Sequence, residues 1–265
     1  MKLLPVAGKF TLTRKLMEAH KREAVLILGA TSAIARATAA AFAARGDALY
    51  LASRDEEELR RISADLRLRY GIEVRYDRFD AEATDSHDAF FKSVLEAMPN
   101  LSGVVQAFGY LGDQQAARDF NVGAKVIASN FTGAASILSH CANYFEPLKR
   151  GFIIGISSVA GDRGRQSNYV YGAAKSALSL YLQGLRNRLF VSGVRVITIK
   201  PGFVDTAMTF GLPGMFLVAT PQAIGERIVG ALDKSADVVY LPWFWRYIML
   251  IIQHIPEPIF KRLKL

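Results

Sequence analysis

Ala24-Val25-Leu26-Ile27-Leu28-Gly29-Ala30-Thr31-Ser32-Ala33-Ile34-Ala35 is a short apolar run, a glycine and the start of an alanine-rich stretch. An apolar run that ends in glycine reads as a strand buried on both faces, and residues 32–45, stopped by Gly46, read as a helix. The alternation continues outward from there. Further strands are predicted over residues 48–52, 73–79, 103–107, 152–157, 194–200 and 237–241, and helices over 55–70, 84–98, 119–144, 168–191 and 221–234. A helix between each pair of strands implies parallel pairing, so the expected fold class is α/β, a doubly wound parallel sheet with helices on both faces.

No repeat, linker or low-complexity tract interrupts residues 1–265, and one Rossmann-type domain is expected, with a basic extension over 1–23 and a hydrophobic and basic tail over 242–265. With 51% hydrophobic residues the chain holds enough apolar material for an ample core, which excludes a disordered chain. One cysteine, Cys141, excludes an internal disulfide framework, and four scattered histidines lack metal-ligand spacing, so no metal is expected. The net charge of +9 sits at the ends: residues 1–23 hold six Lys/Arg against two Glu, and residues 242–265 hold four against one. A nucleic-acid binder carries its basic face on the folded body, so no nucleic-acid partner is expected. Basic ends suit an anionic membrane surface or an anionic substrate, or serve solubility alone. No signal peptide is apparent, since Lys9, Arg14, Lys15 and Glu18 interrupt the first stretch, and the apolar run at 248–252 is too short to span a bilayer. A cytoplasmic protein is expected, peripheral at the inner membrane.

Gly29 to Ala35 fall between the first strand and the first helix, the place of a dinucleotide-binding turn. Gly29 permits the tight turn. Thr31, Ser32, Ala33 and Ile34 open a helix whose free N–H groups and positive dipole end attract a pyrophosphate. Ala33 and Ala35 stand where glycines would allow the closest approach of a ligand. Arg54 follows the second strand, where an acidic residue would hold a ribose 2′-hydroxyl; it pairs with a 2′-phosphate or flanks the adenine, which leans toward NADP(H) over NAD(H). Asp80 ends the third strand, placed to accept from the adenine amine or to cap the next helix. Ala107, Phe108 and Gly109 end the fourth strand and line the adenine ribose.

Tyr171 and Lys175 are four apart on a predicted helix and share a face, so the ammonium is expected to favour the ionised phenol and lower its pKa. Ser158 precedes Tyr171 by thirteen residues. Each residue also has a plain structural reading: Asn130 a core amide, Ser158 a turn residue beside Gly161, and Tyr171 with Lys175 an amphipathic pair. Their order and spacing argue against coincidence.

The turn at 29–35 with Asp80, Asn130, Ser158, Tyr171-x-x-x-Lys175 and Pro201-Gly202-x-x-x-Thr206 resembles the short-chain dehydrogenase/reductase family over about residues 24–241. The resemblance implies an NAD(P)-dependent enzyme acting on a CH–OH/C=O pair through a tetrad of Asn130, Ser158, Tyr171 and Lys175. In it Tyr171 protonates the carbonyl oxygen as hydride arrives, Ser158 hydrogen-bonds that oxygen, Lys175 tunes the tyrosine and holds the nicotinamide ribose, and Asn130 positions a water. The cofactor contacts implied are Gly29, Thr31, Ser32, Ala33, Ile34, Arg54, Asp80, Ala107, Phe108, Gly109, Tyr171, Lys175, Pro201, Gly202, Val204 and Thr206, with Thr206 on the carboxamide. Ser157 is the neighbour that the thirteen-residue spacing sets aside.

Phe108-Gly109-Tyr110-Leu111-Gly112-Asp113, Tyr169-Val170-Tyr171-Gly172 and the tail Phe244-Trp245-Arg246-Tyr247-Ile248-Met249 are similar, within that family, to reductases of a polyprenyl-phosphate-linked 2-keto sugar. That similarity implies an FAD-dependent oxidase partner, a role in cell-envelope polysaccharide synthesis and a homo-oligomer. The alternatives are another hydrophobic carbonyl, such as a 3-oxoacyl chain or a steroid, or a nucleotide-binding scaffold without turnover. Residues 243–252 carry one charge and precede Lys261, Arg262 and Lys264, which reads as an interfacial helix with a basic anchor or as a last helix packed on the cleft or a dimer.

Overall fold

The computed structural model describes residues 23–211 and 216–263. Apart from Glu23, the basic extension lies outside the described residues, as do residues 212–215 of the loop after the sixth strand and Lys264 of the tail. Strands β1 (Ala24–Leu28), β2 (Ala48–Ser53), β3 (Val74–Arg78), β4 (Leu101–Gln106), β5 (Phe152–Ile156), β6 (Arg195–Pro201) and β7 (Val238–Leu241) form one sheet in the order β3-β2-β1-β4-β5-β6-β7. Every neighbouring pair is parallel. The helices are α1 (Ala33–Ala44), α2 (Glu56–Tyr70), α3 (His87–Ala97), α4 (Phe120–Ile127), α5 (Gly133–Leu148), α6 (Tyr169–Leu189), α7 (Pro221–Gly230), α8 (Trp245–His254) and α9 (Glu257–Phe260).

All five residues of β1 are buried, because it lies between β2 and β4 with helices on both faces. Its side chains alternate between two cores. Val25 and Ile27 pack with Phe42, Leu59 and Ile228, so α1, α2 and α7 cover one face. Leu26 and Leu28 pack with Phe90, Ile137 and Leu182, so α3, α5 and α6 cover the other. Each such side chain contributes on the order of 1.5–3 kcal/mol on burial. Strand order reverses between β1 and β4, which opens a crevice beyond their carboxyl ends.

Local chemistry sets the helix boundaries. Asp55 caps α2 by accepting from the Glu58 amide at 3.0 Å, three glutamates occupy its first turn, and Arg67 and Arg69 occupy its last, which matches the helix dipole. Thr220 caps α7, and Pro221 takes the first helical position. The helix expected over 119–144 extends to Leu148 and contains one wide π-helical turn, Ala128–Thr132, centred on Asn130. Periodicity of apolar residues cannot register a single extra residue in a turn.

The tail folds back onto the body. Trp245 and Met249 of α8 are buried against Val159, with Phe203 and Tyr240 packed beside them. Arg163 fastens the segment: it donates to the Gln253 carbonyl and to Glu257, both at 2.7 Å, and its guanidinium lies 4.1 Å from the centre of the Phe260 ring. The expected packing of the tail on the cleft is present. The opposite face of the segment, with Trp243, Tyr247, Leu250 and Ile251, remains exposed. Among the described residues no helix is long and apolar enough to cross a membrane.

Helices α1 and α7 touch through Gly225, where a Cβ would fall 2.5 Å from the Ala37 carbonyl carbon and 2.7 Å from the Thr38 nitrogen. Backbone atoms cannot turn aside as a side chain can. Gly225→Ala is therefore expected to cost roughly 1–3 kcal/mol and to lower the melting temperature by several degrees, read by thermal denaturation; an unchanged midpoint would mean that the two helices separate freely.

Candidate active site

The β1 turn is built to approach β4. Gly29 has φ +80°, and a Cβ on it would lie 2.6 Å from the Phe108 nitrogen, so both its conformation and its closeness to β4 require glycine. Its N–H and that of Ala30 donate to the Ala52 carbonyl at 2.7 and 3.1 Å, and the Thr31 and Ser53 hydroxyls pair at 2.8 Å. Ser32 caps α1, accepting from the Ala35 amide at 3.3 Å. Thr31, Ser32, Ala33 and Ile34 thus present the start of α1 to a cleft of about 1750 Å³, whose opposite wall includes Ala107, Phe108 and Gly109. The residues present fit a dinucleotide: a helix start free of acidic side chains, a glycine turn, and room beyond what a small ligand needs.

Arg54 is exposed and lines a smaller pocket with Gly29, Ser53, Phe79 and Asp80. It has no ion-pair partner among the described residues. Asp80 accepts from the Glu82 amide at 3.0 Å, so its carboxylate is partly spent on its own turn. Two supports of this end were missed in the sequence. His87, buried and stacked 4.9 Å from Phe79, donates from Nε2 to the Asp80 carbonyl at 3.0 Å and accepts on Nδ1 from Ser136 at 2.9 Å. Burial lowers its pKa and keeps the ring neutral. Gln106 donates to the Phe108 carbonyl at 2.7 Å and so shapes the turn after β4; a glutamine closing an apolar strand was the available signal.

Ser158, Tyr171 and Lys175 all line the same cleft. Ser158 caps the helical turn Val159–Gly161, accepting from the Ala160 amide at 3.1 Å, and its hydroxyl lies near enough to the Tyr171 phenol to pull that pKa down. Ser157 turns the other way: it donates to the Lys175 carbonyl at 2.9 Å and pairs with Ser179 at 2.7 Å, a structural use of a hydroxyl. Lys175 Nζ donates to the Ile156 carbonyl at 3.0 Å and lies 5.8 Å from the centre of the Tyr171 ring. Asn130, fully buried in the π-helical turn, donates to the carbonyls of Tyr110 at 2.6 Å and Val126 at 2.8 Å and accepts from the Tyr110 amide at 3.2 Å. A Cβ on Gly109 would sit 2.7 Å from Asn130 Oδ1 and 3.2 Å from Lys175 Nζ, so these two polar groups meet where β4 ends.

The remaining wall follows β6. Pro201, Gly202, Val204 and Thr206 line the cleft, and the Trp245 ring lies against Gly202, where a Cβ would meet the indole nitrogen at 1.9 Å. The Thr206 amide donates to Thr209 Oγ1 at 3.2 Å, and that hydroxyl donates in turn to the Val204 carbonyl, which braces the loop. Phe203, Phe216 and Trp245 form an aromatic cluster with ring centres 5.4–5.7 Å apart. The tail expected to pack on the cleft does so, and its Trp245 is part of the cleft wall.

Burial decides the electrostatics. It holds the Lys175 ammonium down at about 7, and it pushes the Tyr171 phenol up to about 12, with the Ser158 hydrogen bond opposing. The direction for Tyr171 corrects the expectation that the neighbouring ammonium lowers its pKa. Both groups are desolvated in this structure, and that cost sets the direction of each shift.

Comparison with known proteins agrees with this geometry. The family described as short chain dehydrogenase matches residues 23–213. An uncharacterized oxidoreductase of Mycobacterium tuberculosis (strain ATCC 25618 / H37Rv) is 33% identical over 240 residues, covering 90% of this chain and 96% of the relative. Another, from Streptomyces coelicolor, is 34% identical over 245 residues, covering 90% and 95%. Among solved structures, an alcohol dehydrogenase from Thermococcus sibiricus complexed with 5-hydroxy-NADP shares the fold with a TM-score of 0.74 at 24% identity, covering 83% of this chain and 95% of that one.

In the ligand-free protein the depressed Lys175 has a consequence for stability. Between about 7 and the ordinary lysine value of 10.5 the unfolded chain holds a proton that the folded chain does not, so stability rises with pH in this window, by at most about 1.4 kcal/mol per unit. Above 10 the raised Tyr171 acts in the opposite sense. Denaturant unfolding of wild type and Lys175→Met from pH 7 to 10 should show that the wild-type rise is larger; parallel curves would mean that Lys175 is charged in the folded state.

Proposed function

The chain belongs to the short-chain dehydrogenase family, and from that premise we propose that it reduces the carbonyl of a substrate with a long apolar portion, using a nicotinamide dinucleotide. The observation that carries this is the convergence of the Tyr171 and Ser158 hydroxyls and Lys175 Nζ in the cleft that also holds the start of α1. When bound, the dinucleotide supplies the hydride. Tyr171 gives its proton to the carbonyl oxygen, Ser158 donates a hydrogen bond to the same oxygen, and Lys175, beside Asn130, stabilises the charge left on Tyr171. Run in the other direction, Tyr171 accepts the proton of an alcohol.

The cofactor reading is NADP(H) in preference to NAD(H), supported by an Arg54 guanidinium that has no acidic partner beside Ser53 and Asp80. The substrate reading rests on the aromatic wall of Phe203, Phe216 and Trp245, which Met208 and Ile252 extend along the cleft. Such a wall suits a prenyl chain. The specific reading is therefore a decaprenylphosphoryl-2-keto-ribose reductase, coupled to an FAD-dependent oxidase at the cytoplasmic face of a membrane. There the exposed face of the tail and the nearby Arg246, Lys261 and Arg262 contact the lipid.

The experiment offers the purified protein a lipid-phosphate 2-keto pentose, generated in situ by a flavin oxidase, alongside simple ketones. Consumption of NADH and of NADPH is followed for wild type and Tyr171→Phe. The variant is expected to lose at least about a hundredfold in kcat while still binding the dinucleotide. Undiminished turnover by Tyr171→Phe would remove the catalytic assignment, and turnover of simple ketones without the lipid-linked sugar would remove the specific substrate. Arg54→Ala is expected to lower the NADPH:NADH ratio of kcat/KM about tenfold, or about 1.4 kcal/mol; a ratio that does not move would mean that Arg54 contacts no 2′-phosphate.

A further inference from the structure

Among the described residues six buried side-chain atoms lack a hydrogen-bond partner: Ser63 Oγ, Gln106 Oε1, Gln114 Nε2, Arg165 Nε, Asn168 Oδ1 and Trp245 Nε1. The last four belong to residues that line the one cleft carrying Tyr171. Buried polar atoms are almost always paired, so four in one cleft mark a place where pairing is left to something else. Trp245 Nε1 abuts Gly202, which leaves it no space for a partner. The other three come from two segments that line the cleft, Gln114 from the loop after β4 and Arg165 with Asn168 from the loop that leads into α6.

Arg165 is the most costly of the three. It is half-buried, and its Nε, removed from water, needs an acceptor. Its neighbour Arg163 has Glu257 for that purpose, at 2.7 Å. The acid nearest to Arg165 in sequence, Asp162, is spent: Lys200 pairs with it and the Tyr240 hydroxyl donates to it at 2.8 Å. No carboxylate pairs with Arg165 among the described residues. Burial lowers its pKa, against the weaker pull of Asp162. The loop that carries it is held in place from both sides. The Asn168 amide donates to the Arg165 carbonyl at 3.1 Å, and the Gly172 amide in α6 donates to the Asn168 carbonyl at 2.8 Å, one residue beyond Tyr171.

We infer that Arg165 and Gln114 form an oxyanion subsite that recognises a carboxylate or phosphate on the substrate and sets which carbonyl reaches Tyr171, with Asn168 receiving a hydroxyl of the same molecule. This deepens the carbonyl-reductase reading and rests on it. Arg165 supplies charge and a planar set of donors, Gln114 supplies a neutral donor, and Asn168 supplies an acceptor. An uncharged ketone of the same shape supplies no counter-charge to Arg165.

The test compares two matched pairs: 4-oxocyclohexanecarboxylate with its methyl ester, and dihydroxyacetone phosphate with dihydroxyacetone. The readout is the anionic-to-neutral ratio of kcat/KM for the full chain with NADPH. In wild type at least one pair is expected to show a ratio of about tenfold or more, and the pair that shows it identifies carboxylate or phosphate as the source. Arg165→Met should bring that ratio near one, chiefly through KM; Arg165→Lys should retain part of it, and Gln114→Leu should lower it less than Arg165→Met does. A wild-type ratio near one in both pairs, or a ratio that survives Arg165→Met, overturns the subsite while leaving reduction of neutral ketones intact. If no ketone is turned over, the reductase reading fails on its own. Calorimetric binding of each pair to the NADP⁺-saturated protein then decides the subsite: anion-selective binding lost in Arg165→Met supports it, and equal binding of anion and neutral partner rejects it. Should Arg165→Met not fold, Gln114→Leu carries the same comparison.

Discussion

The carboxyl ends of β1 and β4 meet only because Gly29 has no side chain. A Cβ there would enter the backbone of Phe108, and the separation needed to relieve it would pull the start of α1 away from Gly109. Gly109 in turn has Asn130 and Lys175 within van der Waals reach of where its own Cβ would be. Two glycines that follow adjacent strands thus join the start of α1 to a lysine and an asparagine that come from distant parts of the chain. The reversal of strand order makes the crevice, and these close approaches make it a site.

Polar groups in that site are treated unequally from one end to the other. Asn130 has three hydrogen bonds, Ser157 is fixed by α6, His87 is fixed by Asp80 and Ser136, and Lys175 is held by the Ile156 carbonyl. This end is rigid before any ligand arrives, as preorganised electrostatics require. Elsewhere in the cleft the balance changes, and Gln114, Arg165 and Asn168 each bury an unpaired atom. Reactive groups are positioned by the protein; recognition at these three is completed by the molecule that enters.

The tail links this site to the molecular surface. Trp245 closes the end of β6, while Arg163 ties α8 and α9 to the loop that carries Arg165 and leads to Tyr171. One side of α8 is therefore a wall of the cleft, and its other side exposes Trp243, Tyr247, Leu250 and Ile251. A helix with two apolar faces has two occupants to satisfy. The inner one is the body of the protein.

Much of this was legible in the sequence. Strand and helix alternation identified all seven strands, since a doubly covered parallel sheet leaves near-continuous apolar runs that glycines and charged helices punctuate. The order of Asn130, Ser158, Tyr171 and Lys175 was legible too, because helical spacing joins Tyr171 to Lys175 and chain order sets the rest. Three matters were not. The sign of the Tyr171 shift depends on how completely water is excluded, which is a property of packing and not of spacing. The π-helical turn that directs Asn130 inward adds a residue without altering the apolar pattern. That Arg165 forms no ion pair among the described residues depends on Asp162, three positions away, being taken by Lys200 of β6 and Tyr240 of β7. The sequence by itself determined that seven strands alternate with helices in a parallel sheet and which residues are candidates for the chemistry; only the tertiary structure decided the order of strands across the sheet and which charges are paired, because both are settled by neighbours far apart in the chain.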